Sequence, residues 1–234
     1  MRDAERVKRH FDRYAEDFDL LYSGKKSAVG RAFDRIFRWD VARRFERTIE
    51  ECGDVRCKAI LDVGCGPGRF MAALAARGAA FVEGVDFAQE MIEKARRVVG
   101  TTAGEGGLAA GVGALDNAVR CRFTMGDFLA VDFDRTFDIT LAIGFFDYVA
   151  DPLPVLEKMR FLTRGKLIAT FPKAGTWRAR LRRVRLGLMG CPVRFYSEGE
   201  VADFLARTGF GRVRSEAFGQ LIFISAKTEK GGGD

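Results

Sequence analysis

The sequence is poor in the residues on which metal sites depend. It has a single histidine, His10, and five cysteines that are scattered over 234 residues without a C-x-x-C pair. A structural zinc site needs four well-spaced thiolate or imidazole ligands, so no metal site is predicted. The odd, scattered cysteines also argue against a disulfide framework and favour reduced thiols in a cytoplasmic protein.

Long apolar runs are missing as well. No stretch approaches the roughly 20 apolar residues of a membrane-spanning helix, and the first residues show no apolar signal region. Hydrophobic residues make up 47% and charged residues 30% of the chain, which is typical of a soluble globular protein. A chain of 234 residues suits one α/β domain with an added element.

Residues 59–70 combine a short apolar run with three alternating glycines, Gly64, Gly66 and Gly68. A run that turns into a helix-periodic segment predicts a buried parallel strand, a tight turn and a helix, with Pro67 at the first helical position. Glycine lets a ligand approach the main chain, and the helix that follows presents unpaired N–H groups to it. The turn therefore predicts a nucleotide-binding site.

The glycine spacing narrows the choice of nucleotide. Dinucleotide-binding proteins carry G-x-G-x-x-G, whereas this chain has G-x-G-x-G with an acid, Asp62, two residues before the first glycine. An acid there argues against a bound pyrophosphate. In these residues the chain resembles the class I S-adenosylmethionine-dependent methyltransferases of the small-molecule type, whose first motif is an acidic, glycine-rich strand-to-helix turn.

The resemblance implies both a fold and a cofactor. The fold is α/β, with a doubly wound, mostly parallel seven-stranded sheet, and the predicted strands 212–218 and 220–227 supply its antiparallel C-terminal hairpin. The implied cofactor is S-adenosylmethionine, which leaves as S-adenosylhomocysteine.

Two further acids end the second and third predicted strands, where ligands of a doubly wound sheet bind. Asp86 can accept both hydroxyls of a ribose, and it can also cap the helix predicted from Ala88 to Val99. The resemblance implies that Asp127 accepts from the adenine amino group, with Met125 against the ring. The complete predicted cofactor set is Tyr14, Asp62, Gly64, Cys65, Gly66, Gly68, Asp86, Phe87, Met91, Met125, Gly126, Asp127, Phe128, Ile143 and Gly144.

An aromatic loop, residues 143–148, follows the fourth predicted strand. The resemblance implies that it lies against the reactive methyl group and faces the acceptor. Many relatives carry a histidine where this chain has Asp147 and Tyr148, so either of these residues is the candidate base, or no base is needed. The alternative is a loop that only packs. The predicted acceptor-binding side chains are Tyr22, Phe145, Phe146, Trp177 and Arg178.

Two flanking segments are expected to complete the site. Residues 1–53 form a predicted N-terminal helical lid before the cofactor-binding domain, 54–234, and its tyrosines either cover the cofactor or pack the lid. Residues 173–196 form a basic helical insertion after the fifth strand, expected to belong to a substrate cap. Its basic face over 173–194 suits contact with an anionic membrane, or is simply solvated.

The expected function is methyl transfer to an oxygen, or less readily a nitrogen or carbon, of a small apolar or acidic molecule, by a monomer or homodimer. After residue 195 the chain has some likeness to magnesium-protoporphyrin methyltransferases. No motif of the amino-group methyltransferases of nucleobases and no RNA-binding module is present, which argues against DNA and RNA as partners. An RNA methyltransferase, a nicotinamide oxidoreductase and a non-catalytic cofactor-binding protein remain as rival interpretations.

Overall fold

Seven strands alternate with helices through the part of the chain that the structure describes. The computed structural model describes residues 41–102, 120–176, 179 and 193–228. In chain order the elements are α1 (41–52), β1 (Ala59–Val63), α2 (Arg69–Ala76), β2 (Phe81–Asp86), α3 (Gln89–Thr102), β3 (Cys121–Met125), β4 (Phe137–Ala142), a 3₁₀ turn (Phe146–Tyr148), α4 (Pro152–Leu162), β5 (Thr163–Pro172), α5 (Glu198–Arg207), β6 (Phe210–Phe218) and β7 (Leu221–Thr228).

Several predicted residues lie outside these ranges. They are most of the predicted lid, including Tyr14 and Tyr22, and most of the basic insertion, including Trp177 and Arg178. The division of the chain at residue 53, and the lid and cap themselves, therefore stay predictions. Within the described ranges no helix is long and apolar enough to cross a membrane.

The strands form one sheet in the order β3-β2-β1-β4-β5-β7-β6. The first five strands are parallel, and β7 runs antiparallel to both β5 and β6. The predicted doubly wound sheet with an antiparallel C-terminal hairpin is therefore confirmed. The strand order reverses between β1 and β4, and a doubly wound sheet binds its ligand outside the carboxyl ends of the strands at such a point.

Helices cover both faces of the sheet. On one face α1, α2 and α3 bury an apolar cluster that includes Ile49, Met71 and Ile92. On the other face α4 and α5 bury a second cluster that includes Leu156 and Leu205. Parallel strands buried on both faces read as continuous apolar runs, which is why β1 and β4 could be located from sequence.

The helix ends follow the sequence signals, with one exception. Asp151 accepts a hydrogen bond from the N–H of Leu153 at the start of α4, and Ser197 forms a capping box with Glu200 at the start of α5. Pro67, however, is not the first helical residue. Helix α2 begins at Arg69, because the residue before it, Gly68, is left-handed (φ 76°) and ends the turn rather than opening the helix.

One buried carboxylate fastens α1 to the sheet. Glu51, whose side chain is 10% exposed, accepts hydrogen bonds from Lys166 Nζ of β5 (3.2 Å) and Ser225 Oγ of β7 (2.8 Å). Arg47 Nη1 donates to its other oxygen (3.0 Å). Burial alone would raise the pKa of Glu51, but the hydrogen bonds from Ser225 and Lys166 bring it below its ordinary range.

We expect Glu51→Gln to lower the free energy of unfolding by about 1–3 kcal/mol, because the amide cannot accept from all three donors. A protonated Glu51 loses the same interactions, so the difference from wild type should shrink as the pH falls below the ordinary pKa of 4.5. Urea denaturation at several pH values measures both effects. Glu50→Gln, at the exposed neighbour on α1, is the control and should change little; equal losses in the two variants would contradict the anchor.

Candidate active site

The glycine turn after β1 is shaped by close neighbours on one side and open space on the other. Gly66 is left-handed (φ 51°), and a Cβ built on it would meet nothing within 4 Å. A Cβ on Gly68 would lie 2.9 Å from Ala95 Cα of α3, and one on Gly64 would lie 2.7 Å from Phe145 Cδ2. Gly64 and Gly68 therefore permit close packing, whereas Gly66 leaves main chain open to a ligand.

Asp86, the last residue of β2, ties this turn to α3. Its Oδ2 accepts from the N–H of Gly66 (2.9 Å), and its Oδ1 accepts from the N–H of Ala88 (2.9 Å), just before α3 begins. Burial raises the pKa of Asp86, and these backbone hydrogen bonds oppose the shift. The carboxylate thus holds the turn in shape, and because a carboxylate has about four lone-pair sites it can also accept from a hydroxyl donor.

Asp62 of β1 is the least compensated group of the site. It is 1% exposed, and its Oδ2 has no hydrogen-bond partner among the residues that the structure describes. Burial, together with the nearby charge of Asp86, raises the pKa of Asp62 to about 7. Because an unpaired buried carboxylate is costly, a ligand that brings a positive charge or a donor to this atom would be bound favourably.

Cys65 lies inside the turn but is packed rather than reactive. A Cβ built on Gly84 of β2 would lie 2.9 Å from Cys65 Sγ and 2.3 Å from Met71 Sδ, so the two sulfur side chains fill the space beside that glycine. Burial raises the pKa of the Cys65 thiol well above its ordinary value. A thiol in this state is a poor nucleophile, in agreement with a packing role.

The end of β3 adds a third carboxylate beside two exposed apolar side chains. The N–H of Gly126 donates to the carbonyl of Asp86 (3.0 Å), which brings the two strand ends together. Asp127 is exposed and accepts from the N–H of Leu129 (2.9 Å). Met125 is 57% exposed and Leu129 is 45% exposed. Phe128, by contrast, points into the core, as does Met91 of α3.

The end of β4 meets a residue that the sequence did not reveal. Gly144 is left-handed (φ 77°), its N–H donates to Thr170 Oγ1 (2.8 Å), and a Cβ on it would lie 3.3 Å from Arg44 Nη1. Arg44 belongs to α1, where the next residue, Phe45, stacks on Phe70 of α2 with centroids 5.1 Å apart. Helix α1 therefore delivers a guanidinium to the carboxyl end of β4.

The aromatic loop after β4 divides into a buried half and a surface half. Phe146 is fully buried and stacks on Phe171 at 4.3 Å, and Asp147 is 4% exposed. Phe145, Tyr148 and Ile143 are half-buried at the rim. The predicted roles of Asp147 and Phe146 toward an acceptor stay predictions, and both would act from beneath this rim.

A segment far along the chain fixes the loop from behind. The N–H of Arg194 donates to the carbonyl of Asp147 (3.0 Å), and the hydroxyl of the fully buried Tyr196 lies 3.2 Å from the carbonyls of Phe146 and Val149. Both residues lie at the end of the predicted insertion, but their contacts with the loop were not predicted, because the sequence carries no signal of a partner 47 or 50 residues away. Among the described residues no cluster of histidine, cysteine or carboxylate side chains is arranged to hold a metal ion.

The comparisons with known proteins agree with this geometry. Residues 60–165 match the family described as a methyltransferase domain. Two ubiquinone biosynthesis O-methyltransferases of Neisseria meningitidis, from serogroup C and serogroup A, are 50% and 48% identical over 48 residues. These matches cover 20% of this chain and 20% of each relative, so the chain matches only about a fifth of the length of those proteins.

Solved structures share the fold over a greater length. Magnesium protoporphyrin IX methyltransferase from Synechocystis PCC 6803, with bound S-adenosylhomocysteine, superimposes with a TM-score of 0.73 at 16% identity, over 97% of this chain and 100% of that one. An S-adenosylmethionine-dependent methyltransferase from Mesorhizobium loti gives 0.60 at 17% identity, over 76% and 94%. At such identities the likeness shows the fold alone.

We expect Asp62→Asn to stabilise the ligand-free protein, and to do so by more at about pH 8 than at about pH 5. Between the ordinary pKa of 3.8 and the raised pKa of about 7, Asp62 is protonated in the folded state and ionised in the unfolded state. Stability therefore falls as the pH rises through that window, and the amide escapes this loss. Thermal unfolding at the two pH values measures the difference.

Asp138→Asn supplies the matched control, because Asp138 at the other end of the sheet is paired with Arg164 (3.2 Å) and with the N–H of Ala59 (2.9 Å). That variant should lose stability at both pH values, because the amide cannot accept from both donors as the carboxylate does. A loss of stability in Asp62→Asn at the higher pH would contradict the unpaired state of Asp62.

Proposed function

We propose that this chain, which carries a class I S-adenosylmethionine-dependent methyltransferase domain, transfers the cofactor's methyl group to an oxygen atom of a small molecule. The observation that carries the proposal is the buried, uncompensated carboxylate of Asp62 beside the open face of Gly66. Asp86 and Asp127 extend this acidic row along the ends of β2 and β3. A ligand with a cationic end, a ribose and a purine suits the row.

The residues at the strand ends fit S-adenosylmethionine part by part. Asp62 would face the ammonium group of its methionine moiety, and Arg44, beside Gly144, would face the carboxylate. Asp86 would accept from the ribose hydroxyls and Asp127 from the adenine amino group. When bound, the cofactor supplies a methyl group that its positively charged sulfur already activates.

The protein's part in the chemistry is to place an acceptor atom and to exclude water. Positioning of two reactants can supply about 7–11 kcal/mol of the barrier. The half-buried rings of Phe145 and Tyr148 line the rim where an acceptor would rest, and an apolar acceptor suits them. A base is needed only for a hydroxyl of high pKa, for which Asp147 and Tyr148 are the candidates.

Transfer to oxygen is supported by the short match to the O-methyltransferases of ubiquinone biosynthesis. That match covers a fifth of the chain, so we do not assign the acceptor of those enzymes to this protein. Arg69, the first residue of α2, brings a further positive charge to the same end of the sheet, where it lies over the ring of Phe45 (5.5 Å). An acceptor with an acidic group is therefore favoured over a cationic one.

Calorimetric titration with three ligands tests the cofactor assignment. We expect S-adenosylhomocysteine and 5′-methylthioadenosine to bind, and NAD not to bind. Asp62→Asn and Arg44→Met should each raise the dissociation constant of S-adenosylhomocysteine by about tenfold or more, because each removes a charged partner of the amino-acid end of that ligand. Methylthioadenosine lacks that end, so neither substitution should change its dissociation constant. Asp86→Ala should lower the affinity for both adenosyl ligands.

Binding of NAD alone, or of none of the three, would overturn the proposal. Equal weakening of both adenosyl ligands by Asp62→Asn would overturn the assignment of Asp62 to the amino-acid end.

Transfer of a labelled methyl group to phenols, aromatic carboxylates and amines of similar size tests the acceptor class. We expect label on the oxygen acceptors, and a lower kcat in the variant that lacks the base, Asp147→Asn or Tyr148→Phe, with unchanged binding of S-adenosylmethionine. Label on amines alone would contradict transfer to oxygen. Cofactor binding without transfer to any acceptor would favour a non-catalytic role.

A further inference from the structure

The loop after β3 that presents Asp127 is folded tightly on itself. The N–H groups of Ala130 and Val131 donate to the carbonyl of Asp127 (2.9 and 3.0 Å). Gly126 opens the loop, and a Cβ built on it would lie 2.8 Å from Val131 Cγ2. The direction of the Asp127 side chain is set by this fold, since its Oδ1 accepts from the N–H of Leu129 (2.9 Å).

A single ammonium group from another element holds this loop. Lys158 of α4 donates through Nζ to the carbonyl of Leu129 (3.0 Å) and to the carbonyl of Val131. The same Nζ lies 5.3 Å from the ring centroid of Phe128 and 5.5 Å from that of Phe133. Both carbonyls and both rings belong to residues 128–133, so all four contacts act on one loop.

The environment of Lys158 is unusual for a lysine on the outer helix of a sheet. Among the residues that the structure describes, no carboxylate forms an ion pair with it, and its charge is balanced by carbonyl dipoles and aromatic faces. A surface lysine ordinarily extends its ammonium into water. The Lys158 side chain instead extends from α4 to the loop, where its ammonium donates to two carbonyls.

The held loop has the features of a purine site. Met125 and Leu129, on either side of Asp127 in the chain, are large apolar side chains that stay 57% and 45% exposed. Among the described residues Oδ1 of Asp127 is bonded within the loop, and Oδ2 accepts no hydrogen bond. Exposed apolar surface next to such an oxygen suits a flat ring that carries an amino group.

We propose that Lys158 is a positioning residue that sets the selectivity of this site for the adenine amino group, which rests on the proposed function above. The Lys158 ammonium donates to the carbonyl of Leu129, and the N–H of Leu129 donates to the Asp127 carboxylate. Leu129 therefore links the ammonium to the carboxylate by two hydrogen bonds. Without the ammonium the loop becomes more mobile, and the Asp127 carboxylate no longer has one fixed orientation. Lys158 itself does not touch the cofactor.

The test compares S-adenosylhomocysteine with S-inosylhomocysteine, in which an oxo group replaces the purine amino group. Wild type should prefer the adenosyl ligand, because the inosyl ligand presents a carbonyl oxygen to Asp127 in place of the amino donor. In Lys158→Met, which keeps an unbranched stem, we expect the ratio of the two dissociation constants to fall by about tenfold. The adenosyl ligand should lose affinity, and the inosyl ligand should change less.

Arg160→Met is the matched control. Arg160 lies on the same helix and also donates to a carbonyl, that of Gly209 (3.0 Å), but on the side of β6 and away from the loop. Its loss should lower the melting temperature without changing the ligand ratio. Lys158→Gln covers the case in which Lys158→Met does not fold: its shorter, uncharged side chain should lower the ratio in the same direction.

The outcomes separate this inference from the proposed function. A wild type that binds no S-adenosylhomocysteine overturns both. A wild type that binds both ligands equally, or a folded Lys158 variant with the wild-type ratio, overturns the role of Lys158 alone. An equal fall of the ratio in Arg160→Met shows a general effect of stability and also overturns it.

Discussion

The buried carboxylates of Asp62 and Asp86 set the constraint to which the rest of the site conforms. Parallel pairing of β1 and β2 brings the ends of these strands together, so two acidic groups share one dry corner of the sheet. Asp86 is compensated by backbone N–H groups, whereas Asp62 Oδ2 has no partner in the described part of the chain. The ligand-free fold thus carries a cost that only a suitable ligand removes. The free energy of unfolding is therefore lower than it would be without this carboxylate, as at many active sites whose charged groups serve binding.

The other side of the site depends on the docking of α1. This helix comes before the first strand, yet Glu51 fixes it to β5 and β7, and this attachment brings Arg44 to the end of β4. The anchor lies seven positions, about two turns, from Arg44, on a rigid element. A guanidinium held by a helix is positioned more sharply than one on a loop. Residues from late in the chain, Lys166 and Ser225, thus help to position a guanidinium from the helix that precedes β1.

How much could be predicted from the sequence follows from how local each signal is. Asp62 and Asp86 follow apolar residues directly, and Asp127 comes two residues after the end of β3, so their common edge could be inferred from the parallel topology. Arg44, Lys158 and Tyr196 could not be found in this way, because each acts on a partner that is distant in the chain and carries no motif. Pro67 was placed wrongly because the third glycine, not the proline, decides where α2 starts. Within the aromatic loop the sequence showed three aromatic residues, and only the packing on Phe171 separates the buried Phe146 from the rim.

The arrangement also separates the two halves of the chemistry. The strand ends of β1, β2 and β3 are joined by hydrogen bonds from backbone N–H groups. That of Gly66 donates to the carboxylate of Asp86, and that of Gly126 donates to the carbonyl of Asp86. The acceptor rim is held by different parts, Tyr196 and Arg194, which reach the loop from beyond β5. The two parts meet at Phe145, whose ring packs against Gly64 of the glycine turn. Because the two sets of contacts share few residues, a fold of this kind can keep one cofactor while its acceptors diverge. In the proposed function the strand ends would therefore serve the cofactor and the rim would serve the acceptor.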